Sequence, residues 1–254
     1  MLSEKIIVVT GGAGLLGSSF CAAIAEQGGR AIIADINLEN AERVAEEIKS
    51  TGGMAEIASI DITNVVTVKA LINSLHDSYG RIDAVVNNAY PRNANYGRKI
   101  EEVTYPDFCA NTGSHLGGYF LVAQQFAIYF RTIGSGNIIN MGSIYGSIAP
   151  RFDVYEDTDM TTPVEYAAIK AAIAQLTRYL AQYYKKSAVR VNTLSPGGIF
   201  DHQPETFLHR YNAYCGSKGM LDVEDIIGSL IYLLSDASKY VTGQEIVVDD
   251  GYSL

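Results

Sequence analysis

The run Ile6-Ile7-Val8-Val9-Thr10 passes without a linker into Gly11-Gly12-Ala13-Gly14-Leu15-Leu16-Gly17, and then into a helical pattern that continues through Ile24. An unbroken β-branched run is the pattern of a strand buried on both faces. Glycines at 11, 14 and 17 supply a tight turn, a close approach of backbone to a ligand, and close packing of helix on strand. The helix that starts near Leu15 and Leu16 turns its free N–H groups toward the turn, which suits a pyrophosphate. The next strand, Ala31-Ile32-Ile33-Ala34, ends at Asp35, 24 residues after Gly11. An acid at that distance bonds the ribose hydroxyls of an adenosine. A carboxylate there faces a 2′-phosphate unfavourably, so NAD(H) is expected in preference to NADP(H).

The alternation continues to the end of the chain. Helical patterns cover 38–50, 65–79, 105–133, 163–185 and 222–234, and strand patterns cover 54–60, 82–86, 137–141, 189–194 and 244–248. Seven strands separated by helices imply an α/β fold: a doubly wound parallel sheet covered on both faces. No linker, repeat or biased segment interrupts residues 1–254, so a single domain of the Rossmann type is expected. The chain is 48% hydrophobic and 19% charged, as in soluble globular proteins. Its net charge of −9 argues against nucleic acid or an anionic membrane as the main partner. No apolar run is long enough for a membrane span, and the first residues enter a strand with no secretory leader, so a cytoplasmic protein is expected. Cys21, Cys109 and Cys215 are scattered, and neither they nor the histidines at 76, 115, 202 and 209 have metal-ligand spacing. No metal is expected.

Tyr166 and Lys170 stand four residues apart in Val164-Glu165-Tyr166-Ala167-Ala168-Ile169-Lys170, so a helix presents both on one face. A free phenol, with a pKa of about 10, is a poor acid or base at neutral pH. A nearby ammonium is expected to lower that value and make the phenol usable for proton transfer. Ser143 ends the strand 137–141 region and precedes the tyrosine in the chain. In an open parallel sheet both stand at the carboxyl edge, where ligands bind.

These features, taken with Asp61-Ile62, Asn87-Asn88-Ala89, Asn111, Asn192 and Ser195-Pro196-Gly197, resemble the short-chain dehydrogenase/reductase family over essentially the whole chain. The resemblance implies roles. Tyr166 is the general acid/base. Lys170 binds the nicotinamide ribose and depresses the Tyr166 pKa. Ser143 bonds the substrate oxygen, and Asn111 supports a water that links Lys170 to solvent. Asp61 and Ile62 frame the adenine, Asn88 and Ala89 lie along the cofactor, and Pro196, Gly197 and Ile199 follow the nicotinamide end. The family also implies a homodimer or homotetramer through the helices at about 105–133 and 166–184, whose Phe120, Val122, Phe126, Tyr129, Phe130, Ile173, Leu176, Leu180 and Tyr183 exceed what one sheet face covers.

Four departures from the family pattern stand out. Gly14 lies one position earlier than in most short members. Tyr90 replaces a usual glycine. The interval from Ser143 to Tyr166, 23 positions, is much longer than in most relatives and carries the added loop 149–160. Asp201-His202-Gln203 stands where a carboxamide-binding threonine is usual. Substrate loops are expected at about 90–100, 146–163 and 198–220, with Tyr90, Arg92, Arg151 and His202 as substrate contacts. Arg92, Arg98, Lys99, Arg151, Arg210 and Lys218 on these loops suggest an anionic, hydroxylated small molecule. Arg151 is expected to point inward and Asp153, Glu156, Asp157 and Asp159 outward.

Several segments, including Gly142-Ser143-Ile144-Tyr145-Gly146 and Val248-Asp249-Asp250-Gly251-Tyr252-Ser253-Leu254, resemble the subgroup called flagellin modification proteins, associated with bacterial acidic-sugar surface glycans. Three functions fit these residues: an NAD(H)-dependent oxidoreductase of a sugar-like carbonyl or alcohol, an epimerase or dehydratase that uses NAD transiently, and a non-catalytic nucleotide-binding module in glycan assembly.

Overall fold

A computed structural model describes residues 1–254. Seven strands, β1 (Ile6–Thr10), β2 (Arg30–Asp35), β3 (Met54–Ser59), β4 (Ala84–Asn87), β5 (Gly136–Met141), β6 (Val189–Pro196) and β7 (Glu245–Val248), make one sheet. Its order is β3-β2-β1-β4-β5-β6-β7, with every neighbouring pair parallel. The chain builds outward from β1 in one direction, then restarts at β4 and builds in the other. The carboxyl ends of β1 and β4 therefore diverge into a crevice, the place where open α/β sheets bind ligands.

The helices are α1 (Leu15–Glu26), α2 (Leu38–Ser50), α3 (Val65–Tyr79), α4 (Tyr105–Ile133), α5 (Val164–Tyr184), α6 (Glu205–Asn212) and α7 (Glu224–Leu234). Local chemistry sets many of their ends. Asn37, Asn64 and Thr104 cap α2, α3 and α4 with side-chain oxygens that accept first-turn N–H groups. Gly80 and Gly134 close α3 and α4 in the left-handed conformation. The short α6 was not among the expected elements. Its signal was present: Pro204 and Glu205 at the start, and Phe207 and Tyr211 four apart and buried.

Two apolar cores sandwich the sheet. Phe20 and Ile24 of α1, Val44 and Ile48 of α2, and Ile226, Leu230 and Leu234 of α7 fill one side. Val68 and Leu71 of α3, Val122, Phe126 and Phe130 of α4, and Leu180 and Tyr184 of α5 fill the other. This corrects the expected apolar surplus on α4 and α5: Val122, Phe126, Phe130, Ile173 and Leu180 are all spent inside the molecule. What stays outside is Tyr105, Phe120, Ile128 and Ile133 of α4 and Tyr179 and Tyr183 of α5. A third, smaller core joins Val154 of the added loop to Ile144, Tyr145, Phe207, Tyr211, Met220 and Tyr252.

A chain of buried polar groups fixes α5 on the sheet. Asn87 Nδ2 donates to Asn140 Oδ1 at 2.8 Å, and Asn140 Nδ2 donates to Thr177 Oγ1 at 2.8 Å. Thr193 Oγ1 donates to the same Thr177 oxygen at 2.8 Å. Such directional bonds permit one register, whereas apolar packing alone tolerates sliding. Thr177→Val keeps the shape and strands two buried donors. It is expected to lower unfolding stability by about 1–3 kcal/mol in urea denaturation; a loss below a few tenths would mean that the network does not hold the helix.

Candidate active site

The turn after β1 is made possible by glycine. Gly11 has φ +63°, and a Cβ there would stand 2.7 Å from Ala89 Cα. Thr10 and Asn88 lock the two strand ends together. Thr10 Oγ1 accepts from Asn88 N at 3.0 Å and Ala89 N at 3.2 Å, and Asn88 Nδ2 donates to the Thr10 and Gly11 carbonyls, each at 3.1 Å. No side chain caps α1 at Gly14, and its first turn carries no acid. Its leading N–H groups are thus left for an anion. Asp35 lies beside them, accepting from Ala13 N at 3.0 Å and Asn37 N at 2.9 Å. These groups fit the pyrophosphate and ribose of a dinucleotide.

A cavity of about 830 Å³ runs along the carboxyl edge from this turn. Gly11, Gly14, Leu15, Leu16 and Asp35 line one end, with Asp61 and Ile62 across from them. Asn88 and Ala89 line the middle. Ser143, Tyr166 and Lys170 line the other end, closed by Pro196, Gly197 and Ile199. Tyr90 and Arg92 reach the same space.

Four of the expected site residues lie elsewhere. Gly17 packs against the Gly11 backbone and so serves the turn from behind. Asn111 is buried on α4, where its Nδ2 donates to Glu165 Oε1 at 3.2 Å and its Oδ1 accepts from Asn93 N at 3.0 Å. Arg151 does not point inward. Its guanidinium donates to the Tyr252 and Leu254 carbonyls and stacks 4.2 Å from the Tyr214 ring centre. A neighbouring apolar turn, Phe152–Tyr155, buries Val154 and carries the arginine to the outer side of that small core. The loop's four acids do face solvent, as expected. His202 is exposed, and its neighbours Asp201 and Gln203 line the cavity in its place. Tyr155, Thr161, Thr162, Tyr211 and Met220 lie within the expected substrate loops without having been singled out, and Tyr145 lies just outside them; all six line the cavity. Except for Tyr211 on α6, they come from segments without regular periodicity, and only folding brings them to the cleft.

The chemical groups meet through one close approach. Ser143 ends the segment after β5 and caps a short 3₁₀ turn, Ile144–Gly146, through its Oγ. Gly146 lets that turn rest on α5, because a Cβ there would meet the Lys170 carbonyl carbon at 2.7 Å. Lys170 Nζ donates to the Met141 carbonyl at 2.8 Å. Its ammonium is also 5.5 Å from the Tyr166 ring centre, 5.6 Å from Tyr119 and 6.0 Å from Tyr90.

Burial dominates the acid–base properties of these protein groups. It pushes the Tyr166 phenol up to about 12, partly opposed by a hydrogen bond with Ser143. It pulls Lys170 down to about 7. The expected lowering of the phenol by the ammonium is therefore absent from the protein groups by themselves. Removal of both groups from water disfavours both charged forms. His115, one turn beyond Asn111, is likewise pulled down to about 2 by burial and by Lys170, and neither of its ring nitrogens has a partner. It sits between the Tyr90 and Tyr119 rings, with centroids at 5.0 and 5.1 Å.

A family model described as enoyl-(acyl carrier protein) reductase matches residues 13–253. Post-translational flagellin modification protein A of Campylobacter coli is 42% identical over 257 residues, covering 100% of both chains. Among solved structures, a short-chain dehydrogenase from Leptospira borgpetersenii with bound NAD+ is 29% identical with a TM-score of 0.86, covering 100% of this chain and 94% of the other. A gluconate 5-dehydrogenase from Burkholderia cenocepacia, in complex with NADP and tartrate, is 27% identical with a TM-score of 0.88, covering 99% and 96%.

The lysine makes a prediction about pH. Its folded pKa of about 7 lies below the usual 10.5. Between these values the unfolded chain holds the extra proton, so this group's contribution to stability rises with pH from about 7 to about 10.5 and is flat below. The stability difference between wild type and Lys170→Met is expected to shift in favour of wild type as pH rises from 7 to 9.5, read by urea melts. A constant difference across that range would contradict the burial effect.

Proposed function

Because the chain belongs to the short-chain dehydrogenase/reductase family, we propose that it is an NAD(H)-dependent oxidoreductase of a polar, sugar-like alcohol or carbonyl. The observation that carries this reading is the convergence of Ser143, Tyr166 and Lys170 at one end of a cavity whose other end fits a dinucleotide. A nicotinamide nucleotide supplies the hydride acceptor or donor; the protein's part is to orient the carbon and handle one proton. In the oxidation direction the substrate hydroxyl lies between Ser143 Oγ and Tyr166 Oη. Ser143 holds the oxygen, and the hydroxyl proton passes to Tyr166 in its phenolate form, the phenol proton having left beforehand, as the C–H bond gives up its hydride to the nucleotide. Reduction runs the same path in reverse. Lys170, held by Met141, balances charge at Tyr166 and stands ready for a ribose hydroxyl.

Asp35 at the end of β2 supports NAD(H) as the nucleotide, because it lines the cavity and a carboxylate at this position disfavours a 2′-phosphate. The flagellin-modification relative and the sugar-acid dehydrogenase among the structural neighbours support a hydroxylated substrate, as do the hydroxyls of Tyr155, Thr161 and Thr162 in the cavity. The exposed apolar residues Phe120, Ile128, Tyr179 and Tyr183, with the last two tyrosines stacked 6.3 Å apart, support a homodimer or homotetramer through α4 and α5. We take the cytoplasm as the site of action.

Four outcomes are expected. NAD+ binds at least about tenfold more tightly than NADP+ by calorimetry, and Asp35→Ala narrows the gap; equal affinities in wild type would remove the assignment. A screen of sugars, sugar acids and polyols yields net NADH formation, which transient use of the nucleotide would not give. Tyr166→Phe then keeps nucleotide affinity and loses at least about a hundredfold in turnover, whereas a loss of only a few-fold would take Tyr166 out of the mechanism. Light scattering at micromolar concentration is expected to give a dimer or tetramer mass, and a monomer mass would refute the interface.

A further inference from the structure

Of the six loop cations that the sequence suggested for the cleft, one lines the cavity. Arg98 donates to Asn95, Arg151 to the chain's last residues, Arg210 to Asp157 and the Glu156 carbonyl, and Lys218 to Asp222 and Asp225. Lys99 is exposed and outside the cavity. The buried Lys170 is engaged with Met141. Arg92 lines the cavity and takes part in no salt bridge and no side-chain hydrogen bond. Its only side-chain partner is an aromatic face, the Tyr90 ring, at 5.4 Å.

That ring sets the distance to the chemistry. Tyr90 meets Tyr166 edge to face, with centroids 5.9 Å apart. One aromatic side chain therefore separates the guanidinium from the proton-transferring phenol. Such a span suits a substrate a few carbons long, reacting at one end and charged at the other.

The loop that carries Arg92 is built to hold still. Tyr90 Oη donates to Tyr96 Oη at 2.6 Å. Asn93 N donates to Asn111 Oδ1 at 3.0 Å, and the side-chain amides of Asn93 and Asn95 both donate to Asp107 Oδ1, at 2.9 and 3.0 Å. Thr161 Oγ1, just after the added loop, donates to the Gly97 carbonyl. A cation on a fixed loop keeps its place when the ligand leaves, which lowers the ordering cost of binding. The carboxylates that line the cavity are Asp35 and Asp61 at the dinucleotide end and Asp201 on the segment after β6, so none shares the loop with Arg92.

Resting on the oxidoreductase reading above, we propose that Arg92 receives a phosphate or carboxylate group at the end of the substrate remote from the reacting carbon. Guanidinium offers both oxyanions the same forked pair of donors. Asn111 is then a positioning residue for this subsite as well, since it anchors Asn93 on one side and Glu165, next to Tyr166, on the other.

The test is calorimetry on wild type, Arg92→Gln and Arg92→Lys with four probes: inorganic phosphate, glucose 6-phosphate, glucuronate and glucose. Titrations run with saturating NAD+, which blocks the pyrophosphate site, and again without it. Wild type is expected to bind a phosphate or carboxylate probe at least about tenfold more tightly than glucose, Arg92→Gln to lose that advantage, and Arg92→Lys to recover part of it. The phosphate and glucuronate arms tell which oxyanion is preferred. NAD+ affinity should stay within about twofold in both variants, because Arg92 is separate from the dinucleotide end. A wild type that binds no anion more tightly than Arg92→Gln overturns the proposal, as does an anion preference that survives the substitution. Failure of the wild type and both variants alike to bind NAD+ would instead sink the NAD(H) oxidoreductase reading, and the arms without NAD+ still decide the role of Arg92.

Discussion

The 2.8 Å bond from Lys170 Nζ to the Met141 carbonyl ties the helix that carries Tyr166 to the strand end that leads to Ser143. The bond places an ammonium in a fully buried setting, and burial there is strong enough to bring the lysine down to about 7. A lone buried cation is costly, and the structure offsets that cost with a carbonyl dipole and three aromatic faces. Gly146 permits this arrangement by letting the Ser143 turn come into backbone contact with α5. The polar chain from Asn87 through Asn140 to Thr177 and Thr193 then holds α5 at the one register in which all of these groups coincide.

The two ends of the cavity are built by different means. The end at the glycine turn is built largely of main chain, an uncapped helix N-terminus, a glycine turn and two strand ends locked by Thr10 and Asn88, with the Asp35 carboxylate beside it. Backbone groups there have fixed positions, which suits the features that all dinucleotides share. The opposite end consists of side chains from separate stretches: the loop after β4, the turn after β5, the added loop, α5, the segment after β6, and α6. The chain has 17 tyrosines and no tryptophan. Several of the tyrosines gather here, and the hydroxyls of Tyr155, Tyr145 and Tyr252 lie within 3.2 and 3.3 Å in series. The small core around Val154 makes this region a packed unit. The added loop is consequently an ordered wall of the cavity, to which it contributes Tyr155, with Thr161 and Thr162 following directly after it, and it holds its arginine away from the cavity.

What the sequence determined by itself was everything set by neighbours along the chain. Alternating β-branched runs and helical patterns located all seven strands and six of the seven helices, because burial on a sheet face imposes a local period. The glycine turn, Asp35 at the end of β2, and the Tyr166–Lys170 spacing were legible for the same reason: each is a relation within one strand-turn-helix unit or one helical turn. Tertiary structure alone decided which loop side chains reach the cavity. Arg92 and Arg151 look equivalent as sequence, each a cation on a polar loop. One faces the cleft and the other is drawn to the Tyr214 ring and the chain's last residues, contacts at separations no local pattern encodes. The acid–base state of Tyr166 belongs to the same class. Spacing placed an ammonium on the same helical face, but the pKa answers to desolvation, and desolvation depends on every element packed around the phenol.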